Sequence, residues 1–96
     1  SVPQVMKSFS EMGKAAIADG ALDSKTKELI ALAIGVAVRC DGCIGFHAKA
    51  LARLGASEAE VHDMLGVAVY MGGGPSVMYA AEAVAAFKEF SSPTGK

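Results

Sequence analysis

The sequence predicts an all-α protein, a compact bundle of about five helices that forms a single domain over residues 1–96. Apolar residues recur at helical spacing from one end of the chain to the other. By contrast, no run of β-branched residues alternates with polar ones between turn residues, as a half-buried strand would require. The connections between the helical segments are short, and the chain has no length for a second domain.

The first two helices are expected over about residues 4–18 and 24–38. The apolar positions that share a face of the first helix are Val5, Phe9, Met12 and Ala16. The second helix is expected to be capped by Asp23 or Ser24, whose side chains can accept hydrogen bonds from the free amides of a first turn. Its segment 29–38 is apolar on all sides, and a helix of that kind is surrounded by protein.

Three further helices are expected at about residues 40–54, 58–72 and 75–90. Ser57 followed by Glu60 is a capping box, which predicts that the fourth helix starts at residue 58. The glycines at 72–74 end that helix, and Pro75 can occupy the first turn of the next one.

The composition predicts association between copies of the chain. Lys and Arg number 9 against 10 Asp and Glu, 52% of the residues are hydrophobic, and the mean hydropathy is +0.37. One small core cannot hide that much apolar surface, so we expect a homo-oligomer. The formal net charge of -1, without any basic run, excludes the usual electrostatic signature of a nucleic-acid-binding protein.

The sequence gives no signal for a membrane or for secretion. The longest strictly apolar stretch, residues 29–38, is too short to span a bilayer. The chain does not open with a basic segment followed by an apolar one. We therefore expect a cytoplasmic protein with no membrane partner, and in that compartment two cysteines are more often reactive or metal-binding than a structural disulfide.

The segment Cys40-Asp-Gly-Cys43-Ile-Gly-Phe-His47 carries the candidate chemistry. At about 100° per residue, the two cysteines and the histidine project along one stripe of the third helix. The Cα atoms of cysteines three apart in a first helical turn lie about 5 Å from each other, within the range of a disulfide. The free amides and the positive end of the helix dipole stabilise a thiolate there, and His47 can accept the proton of Cys43.

Other interpretations of the cysteines stay open at this point. A structural zinc site would need a ligand besides Cys40, Cys43 and His47, and only His62 remains. A thioredoxin-type motif would follow a strand of a βαβ unit, which this chain lacks. Buried cysteines without any reaction are the third possibility, because free Cys behaves as a small hydrophobic residue. For His62 itself, the simplest interpretation is a solvent-exposed helix surface.

At these residues the sequence resembles the AhpD-like alkylhydroperoxidase branch of the carboxymuconolactone decarboxylase family. The matching pieces are KTKELIALAIGVAVRC, CDGCIGFHAKAL and LGASEAEVHDMLGVAVYMGGGPSVMYAAEA, within roughly residues 20–90. The first piece carries Glu28, which precedes Cys40 by twelve residues as in the family pattern. The resemblance implies an all-α protomer that assembles into trimers or hexamers.

The resemblance also implies roles for the site residues. Cys43 would attack the peroxide and become a sulfenic acid, and Cys40 would resolve it as a disulfide. His47 would take the proton of Cys43, and Glu28 would orient His47 or relay through it, directly or by a water. No metal, flavin or haem cofactor is implied. The implied partners are a hydroperoxide substrate, a dithiol reductant of the lipoyl type and a peroxiredoxin.

Two sites in the sequence qualify this resemblance. Full-length members that match best carry a second histidine between the two cysteines, and here that position is Gly42. For Glu28, a helical hairpin puts the carboxylate about 7 Å beyond the level of His47, a gap that two long side chains or one water would bridge. The alternative is an interaction of Glu28 with Lys25 or with the helix dipole.

The expected function is therefore thiol-dependent reduction of hydroperoxides in antioxidant defence. One alternative is a carboxymuconolactone decarboxylase-like enzyme without redox cycling, which has no use for two thiols. The other is a redox-sensing oligomer whose cysteines pair without turnover.

Overall fold

The computed structural model describes residues 2–92, and within this range it contains five α-helices and no strand. In chain order the helices are α1 (Val2–Ile17), α2 (Ser24–Ala37), α3 (Asp41–Arg53), α4 (Glu58–Gly72) and α5 (Ser76–Ser91). The predicted all-α fold is confirmed, and each helix begins and ends close to its expected bounds. No helix in the described range combines the length and the hydropathy needed to cross a membrane.

The side chains predicted as N-caps are found at the start of two helices. Asp23 is the N-cap of α2, and its carboxylate accepts a hydrogen bond from the backbone N–H of Thr26 at 2.8 Å. A hydrogen bond from the Thr26 side chain, and then this backbone bond, hold the pKa of Asp23 below its ordinary value. At α4 both halves of the capping box form: the Glu60 N–H donates to Ser57 Oγ at 3.0 Å, and the Ser57 N–H donates to Glu60 Oε1 at 2.9 Å.

The hydrophobic core is built by α2, α3, α4 and α5. Its buried members are Leu32, Val36, Ile44, Ala48, Leu51, Val61, Leu65, Ala68, Ala83 and Phe87. Within each helix these residues are three or four apart, so each helix turns one stripe inward. Glu28 and Gly35 are also buried on α2. The candidate site lies where this helix contacts α3.

Helix α1 lies outside this core. None of its residues is buried, and among the described helices it contacts only α2. Its predicted apolar stripe is exposed, with Val5 at 63%, Phe9 at 63% and Met12 at 59% of their full accessibility. The stripe is therefore a hydrophobic surface of the single chain.

The outer face of α2 is exposed as well. It carries Ile30 and Ile34, and the exposed Val38 follows as the C-cap. The expectation that segment 29–38 is surrounded by protein thus holds on one side only in a single chain. The 9.8 kDa chain exposes 6145 Å², whereas a compact monomer of that mass exposes roughly 5,200 Å². The single chain leaves apolar faces uncovered that a monomer of this size usually covers.

The turn between α4 and α5 depends on glycine at two positions. Gly73 has a φ of 82°, in the left-handed region that favours glycine. At Gly72, a Cβ atom would overlap Ser76 Oγ and would lie 3.1 Å from the Cα atom of Ala37. Ser76 is fully buried at this contact, and its hydroxyl has no hydrogen-bond partner within the described residues. The glycines therefore allow α2, α4 and α5 to meet closely.

Candidate functional site

The short joint between α2 and α3 has a regular hydrogen-bonded geometry. The Arg39 N–H donates to the Val36 carbonyl at 3.2 Å, and the Cys40 N–H donates to the Gly35 carbonyl at 2.9 Å. These two bonds form a Schellman motif, which requires a left-handed residue, and Arg39 takes that conformation with a φ of 59°. Cys40 then serves as the N-cap of α3, so this residue lies at the end of one helix and the start of the next.

Cys40 and Cys43 are joined as a disulfide at the start of α3. Their Cα atoms lie 5.3 Å apart, in agreement with the distance expected from helix geometry. The Cys40 Sγ atom also accepts a hydrogen bond from the backbone N–H of Cys43 at 3.3 Å. Both cysteines are partly buried. The sulfur atoms therefore lie where the amides of a helix N-terminus favour negative charge.

Glu28 and His47 form a direct contact between α2 and α3. The Oε1 atom of Glu28 lies 2.6 Å from Nδ1 of His47, closer than the axial spacing along the helices alone predicts. The side chains retain 7% and 20% of their accessibility, respectively. Lys25, the alternative partner of Glu28, instead pairs with Glu60 of α4, with 2.8 Å between Nζ and Oε2.

This contact determines which nitrogen of His47 can act as a base. When Glu28 is ionised, it accepts the hydrogen bond of Nδ1–H, and the free lone pair of the ring lies on Nε2. The carboxylate also stabilises the imidazolium that forms when Nε2 takes a proton. Cys43 precedes His47 by one turn of α3, so their side chains are neighbours on the helix. In the dithiol form, this arrangement can convert a thiol into a thiolate.

The structure thus brings the predicted site residues together as two pairs at the α2–α3 contact. One pair is Cys40 with Cys43, and the other is Glu28 with His47. Gly42, which lies between the cysteines, is exposed, and a Cβ atom there would meet nothing within 4 Å apart from its chain neighbours and the backbone of its own helix. A larger side chain at this position would project into open space.

His62 is exposed in an open groove between α4 and α5. The other residues that line the groove are Leu65, Gly66, Val69, Val77, Ala80, Ala81 and Val84. Across residues 2–92, no group of three His, Cys, Asp or Glu side chains is arranged to hold a metal ion. His62 is therefore not a further ligand beside the two cysteines and His47 in this arrangement.

Two features next to the site were missed by the sequence analysis. A Cβ atom on Gly35 would lie 3.0 Å from the Cβ atom of Cys43. Asp41, the first residue of α3, faces Glu82 of α5, and the pKa of Glu82 is raised by desolvation and then by the hydrogen bond and charge of Asp41. A glycine inside an apolar helix is a sequence signal of close packing, whereas no local pattern pairs Asp41 with Glu82.

Comparison with known proteins gives a consistent result. The family model described as the carboxymuconolactone decarboxylase family matches residues 3–86. An uncharacterised protein of Cupriavidus necator is 41% identical over 85 residues, which are 88% of this chain and 75% of that protein. An uncharacterised protein of the cox locus of Paracoccus denitrificans is 37% identical over 81 residues, or 84% of this chain and 73% of that protein.

Solved structures with this fold are described as members of the same family. The crystal structure of an apo carboxymuconolactone decarboxylase family protein from Legionella pneumophila is 59% identical, with a TM-score of 0.90 over 95% of this chain and 81% of that chain. A family protein from Thermotoga maritima, for which an involvement in antioxidative response is suggested, is 34% identical. Its TM-score is 0.82 over 90% of this chain and 89% of that chain.

Proposed function

The chain belongs to the carboxymuconolactone decarboxylase family, and we propose that it acts there as a thiol-dependent hydroperoxide reductase of antioxidant defence. The observation that carries the proposal is the Cys40–Cys43 disulfide at the start of α3, one helical turn from the Glu28–His47 pair. Two-electron thiol chemistry uses a pair of thiols that can form a disulfide and a base beside them. Here the base is the histidine, whose free nitrogen has a fixed orientation. The antioxidative response suggested for the Thermotoga relative agrees with it.

The proposed reaction starts from the dithiol form. His47 Nε2 takes the proton of the Cys43 thiol, and the amides of the first turn of α3 stabilise the thiolate. The thiolate attacks one peroxide oxygen, so that an S–O bond forms while the O–O bond breaks. The alcohol leaves with the proton that His47 returns, and Cys43, oxidised by two electrons, is then a sulfenic acid.

Cys40 completes the oxidation of the pair. Its thiol attacks the sulfur of Cys43, water leaves, and the disulfide forms. The 5.3 Å between the Cα atoms allows this bond within the helical turn. A dithiol reductant then returns two electrons and two protons by thiol–disulfide exchange. In sum, a hydroperoxide and a dithiol give an alcohol, water and the oxidised form of the reductant.

The proposed partners follow from this chemistry. The hydroperoxide is the substrate, a lipoyl-type dithiol is the reductant, and a peroxiredoxin is a protein that the same pair can serve. Because Gly42 has no side chain and is exposed, nothing projects from that position to hinder a reductant that approaches the disulfide. We place the activity in the cytoplasm, where thiols are kept reduced between turnovers. Since the dithiol supplies the electrons, the proposed reaction needs no metal or flavin.

The first experiment measures peroxide consumption by the purified protein with an excess of dihydrolipoamide. Sustained turnover is expected for the native chain and none for Cys43→Ser. His62→Asn is the matched control, because this histidine lies in the α4–α5 groove, and it should retain the native rate. Absence of turnover by the native chain, with both thiols intact, would contradict the proposal and favour the redox sensor. Lactone turnover by a protein with both cysteines changed to Ser would favour the decarboxylase-like alternative.

A second experiment separates the roles of the two cysteines. After one addition of peroxide, Cys40→Ser should hold one equivalent of sulfenic acid on Cys43, and a dimedone-type probe detects it by mass spectrometry. Cys43→Ser should hold none. If Cys40→Ser is the variant that forms no sulfenic acid, the assignment of the attacking cysteine is reversed.

We also propose that the chain functions as a homo-oligomer, a trimer or a hexamer, in which α1 packs against another copy. The exposed stripe of α1 and the outer face of α2 support this proposal. The surplus of exposed surface over that of a compact monomer is roughly 900 Å². Stable interfaces bury about 800 Å² on each partner, so the uncovered area matches what association requires.

Light scattering during size-exclusion chromatography tests this proposal. The native chain should elute as an oligomer at micromolar concentration. Phe9→Glu puts a charge into the apolar stripe and should shift the mass toward the monomer, while Lys7→Glu, on the opposite side of α1, should not. A native chain that is monomeric under these conditions would contradict the role given to α1.

A further inference from the structure

Gly35 of α2 touches both cysteines of the redox pair. Its carbonyl oxygen accepts a hydrogen bond from the backbone N–H of Cys40 at 2.9 Å. A Cβ atom on it would lie 3.0 Å from the Cβ atom of Cys43 and 3.8 Å from the backbone nitrogen of Ile44. Gly35 is buried, so no solvent-filled space is present into which an added group could turn.

A contact of this length is tighter than nine in ten real contacts of a Cβ atom, so any other amino acid needs its neighbour to move. Carbon atoms attract each other best at about 3.5–4.0 Å, and the repulsive part of the potential begins below that range. The neighbour on α3 is the stem of Cys43 and not the end of a flexible side chain. A residue with a Cβ atom must therefore move Cys43, or the start of α3, by a few tenths of an ångström.

The same contact lies on the buried face of α2 that also carries Glu28. Glu28 and Gly35 are seven residues apart on α2, which is two turns, so they lie on one face of the helix. Cys43 and His47 are one turn apart on α3. The distance between the two helices at Gly35 therefore also affects how well Glu28 reaches His47.

We propose that Gly35 is a positioning residue for the thiol chemistry, holding the two cysteines and His47 in their working arrangement. The inference rests on the proposed function, since it assigns to Gly35 the geometry in which Cys43 loses its proton. The covalent steps are those given above. Gly35 takes no part in them and acts only through the residues that it contacts.

Gly35→Ala tests the inference, and Gly45→Ala is the matched control. Gly45 lies in α3 between Cys43 and His47, and a Cβ atom there would meet nothing within 4 Å. Both variants gain the same helix propensity, about 1 kcal/mol, so their difference reports the contact with Cys43. Circular dichroism establishes that each variant keeps its helices.

Two readouts are expected to separate these variants. In a Cys40→Ser background, the rate of iodoacetamide alkylation of Cys43 is followed against pH, and Gly35→Ala should move the midpoint upward because the thiolate loses stabilisation. With both cysteines present, Gly35→Ala should reduce peroxide turnover roughly ten-fold, as expected for a small misplacement of reacting groups. Gly45→Ala should leave the alkylation midpoint and the turnover unchanged.

The outcomes distinguish this inference from the proposed function. If Gly35→Ala behaves like Gly45→Ala in both readouts, the inference is overturned. If the native chain does not turn over peroxide but Gly35→Ala still shifts the alkylation midpoint, the positioning role stands and the proposed function fails. If Gly35→Ala does not fold, hydrogen exchange on the native chain decides. A slowly exchanging Cys40 amide in both redox states supports the inference, because it shows that the Gly35 carbonyl holds the start of α3. A rapidly exchanging one overturns it.

Discussion

Glu28 Oε1 and His47 Nδ1 lie 2.6 Å apart across the contact between α2 and α3, and Glu28 keeps only 7% of its side-chain accessibility. The carboxylate is thus removed from water and has one strong hydrogen-bond donor as its partner. Such a pair gives His47 a fixed ring orientation and a defined base nitrogen. In the proposed reaction, this orientation is what lets the histidine act on Cys43.

Glu28→Gln should therefore lower peroxide turnover about 100-fold while the helices remain intact. The amide has nearly the same shape, but it lacks the negative charge that stabilises protonated His47. Glu60→Gln is the control, since it removes a glutamate from an ion pair with Lys25 at the protein surface, and it should retain the native rate. Equal rates for these two variants would show that Glu28 serves the fold alone.

Ser76→Ala should raise the free energy of unfolding by about 1 kcal/mol, because the buried hydroxyl gives up its hydrogen bonds with water on folding. The side chain is fully buried, and its Oγ has no partner among the described residues. Ser91→Ala, at the exposed end of the same helix, should have little effect. Urea denaturation measures both, and a large loss of stability in Ser76→Ala would reveal a hydrogen bond of that hydroxyl.

Gly72→Ala, at the same contact, should lower the free energy of unfolding, whereas Ser76→Ala should raise it. Its Cβ atom would overlap Ser76 Oγ and crowd the backbone of Ala37. Overpacking of this kind costs about 1–3 kcal/mol. Gly66→Ala, in the same helix with open space around it, should not lose stability. The two denaturation midpoints compare the sites directly, and coincident midpoints would exclude the close approach of α2, α4 and α5.

Arg39→Gly should stabilise the chain by about 1 kcal/mol, since the left-handed conformation is costly for residues with a Cβ atom. The φ of 59° at Arg39 belongs to the turn that ends α2, where glycine is the usual residue. Arg53→Gly changes a helical arginine in the last turn of α3 and should instead destabilise by about 1 kcal/mol. Thermal unfolding should shift in opposite directions, and a loss of stability in both variants would contradict the strain assigned to Arg39.

Glu82→Gln should flatten the dependence of stability on pH. Desolvation and the neighbouring Asp41 raise the pKa of Glu82 in the folded chain. A carboxyl group with a raised folded pKa contributes stability that is present below the unfolded pKa and is lost as the pH rises through the folded one. The native chain should thus lose this contribution above the ordinary range of a glutamate, and Glu82→Gln should not.

The measurement for Glu82 is the melting temperature between about pH 4 and about pH 7, which brackets the ordinary titration of glutamate. Glu89→Gln, an exposed glutamate further along α5, provides the comparison for the loss of one negative charge. If both variants shift the curve equally, net charge explains the effect and the Asp41–Glu82 pair does not.

Local sequence signals predicted the helices and their ends well. Asp23, Ser57 and Glu60 form the expected caps, because capping depends on a few adjacent residues. Periodicity also put Cys40 and Cys43 in one helical turn, where the disulfide is found. These features need no information about how the helices are arranged in space.

Those local signals did not predict how the helices are arranged in space. A stripe such as that of Phe9 has the period of a core helix, yet periodicity does not say what covers it, and within residues 2–92 the stripe stays exposed. Similarly, axial spacing separated Glu28 from His47, whereas the close approach of α2 to α3 joins them. That approach depends on Gly35, and sequence alone does not distinguish this glycine from Gly45, where an added Cβ atom would meet nothing within 4 Å.

The sequence separation of three residues between Cys40 and Cys43 has an energetic consequence. A cross-link that closes so short a loop removes little freedom from the unfolded chain, worth about 2 kcal/mol at 25 °C in the chain-entropy model. The folded state thus gains less from this bond than from one that ties distant segments. We therefore expect the helices to stay assembled when the bond is broken, and the proposed redox cycle needs a scaffold of that kind.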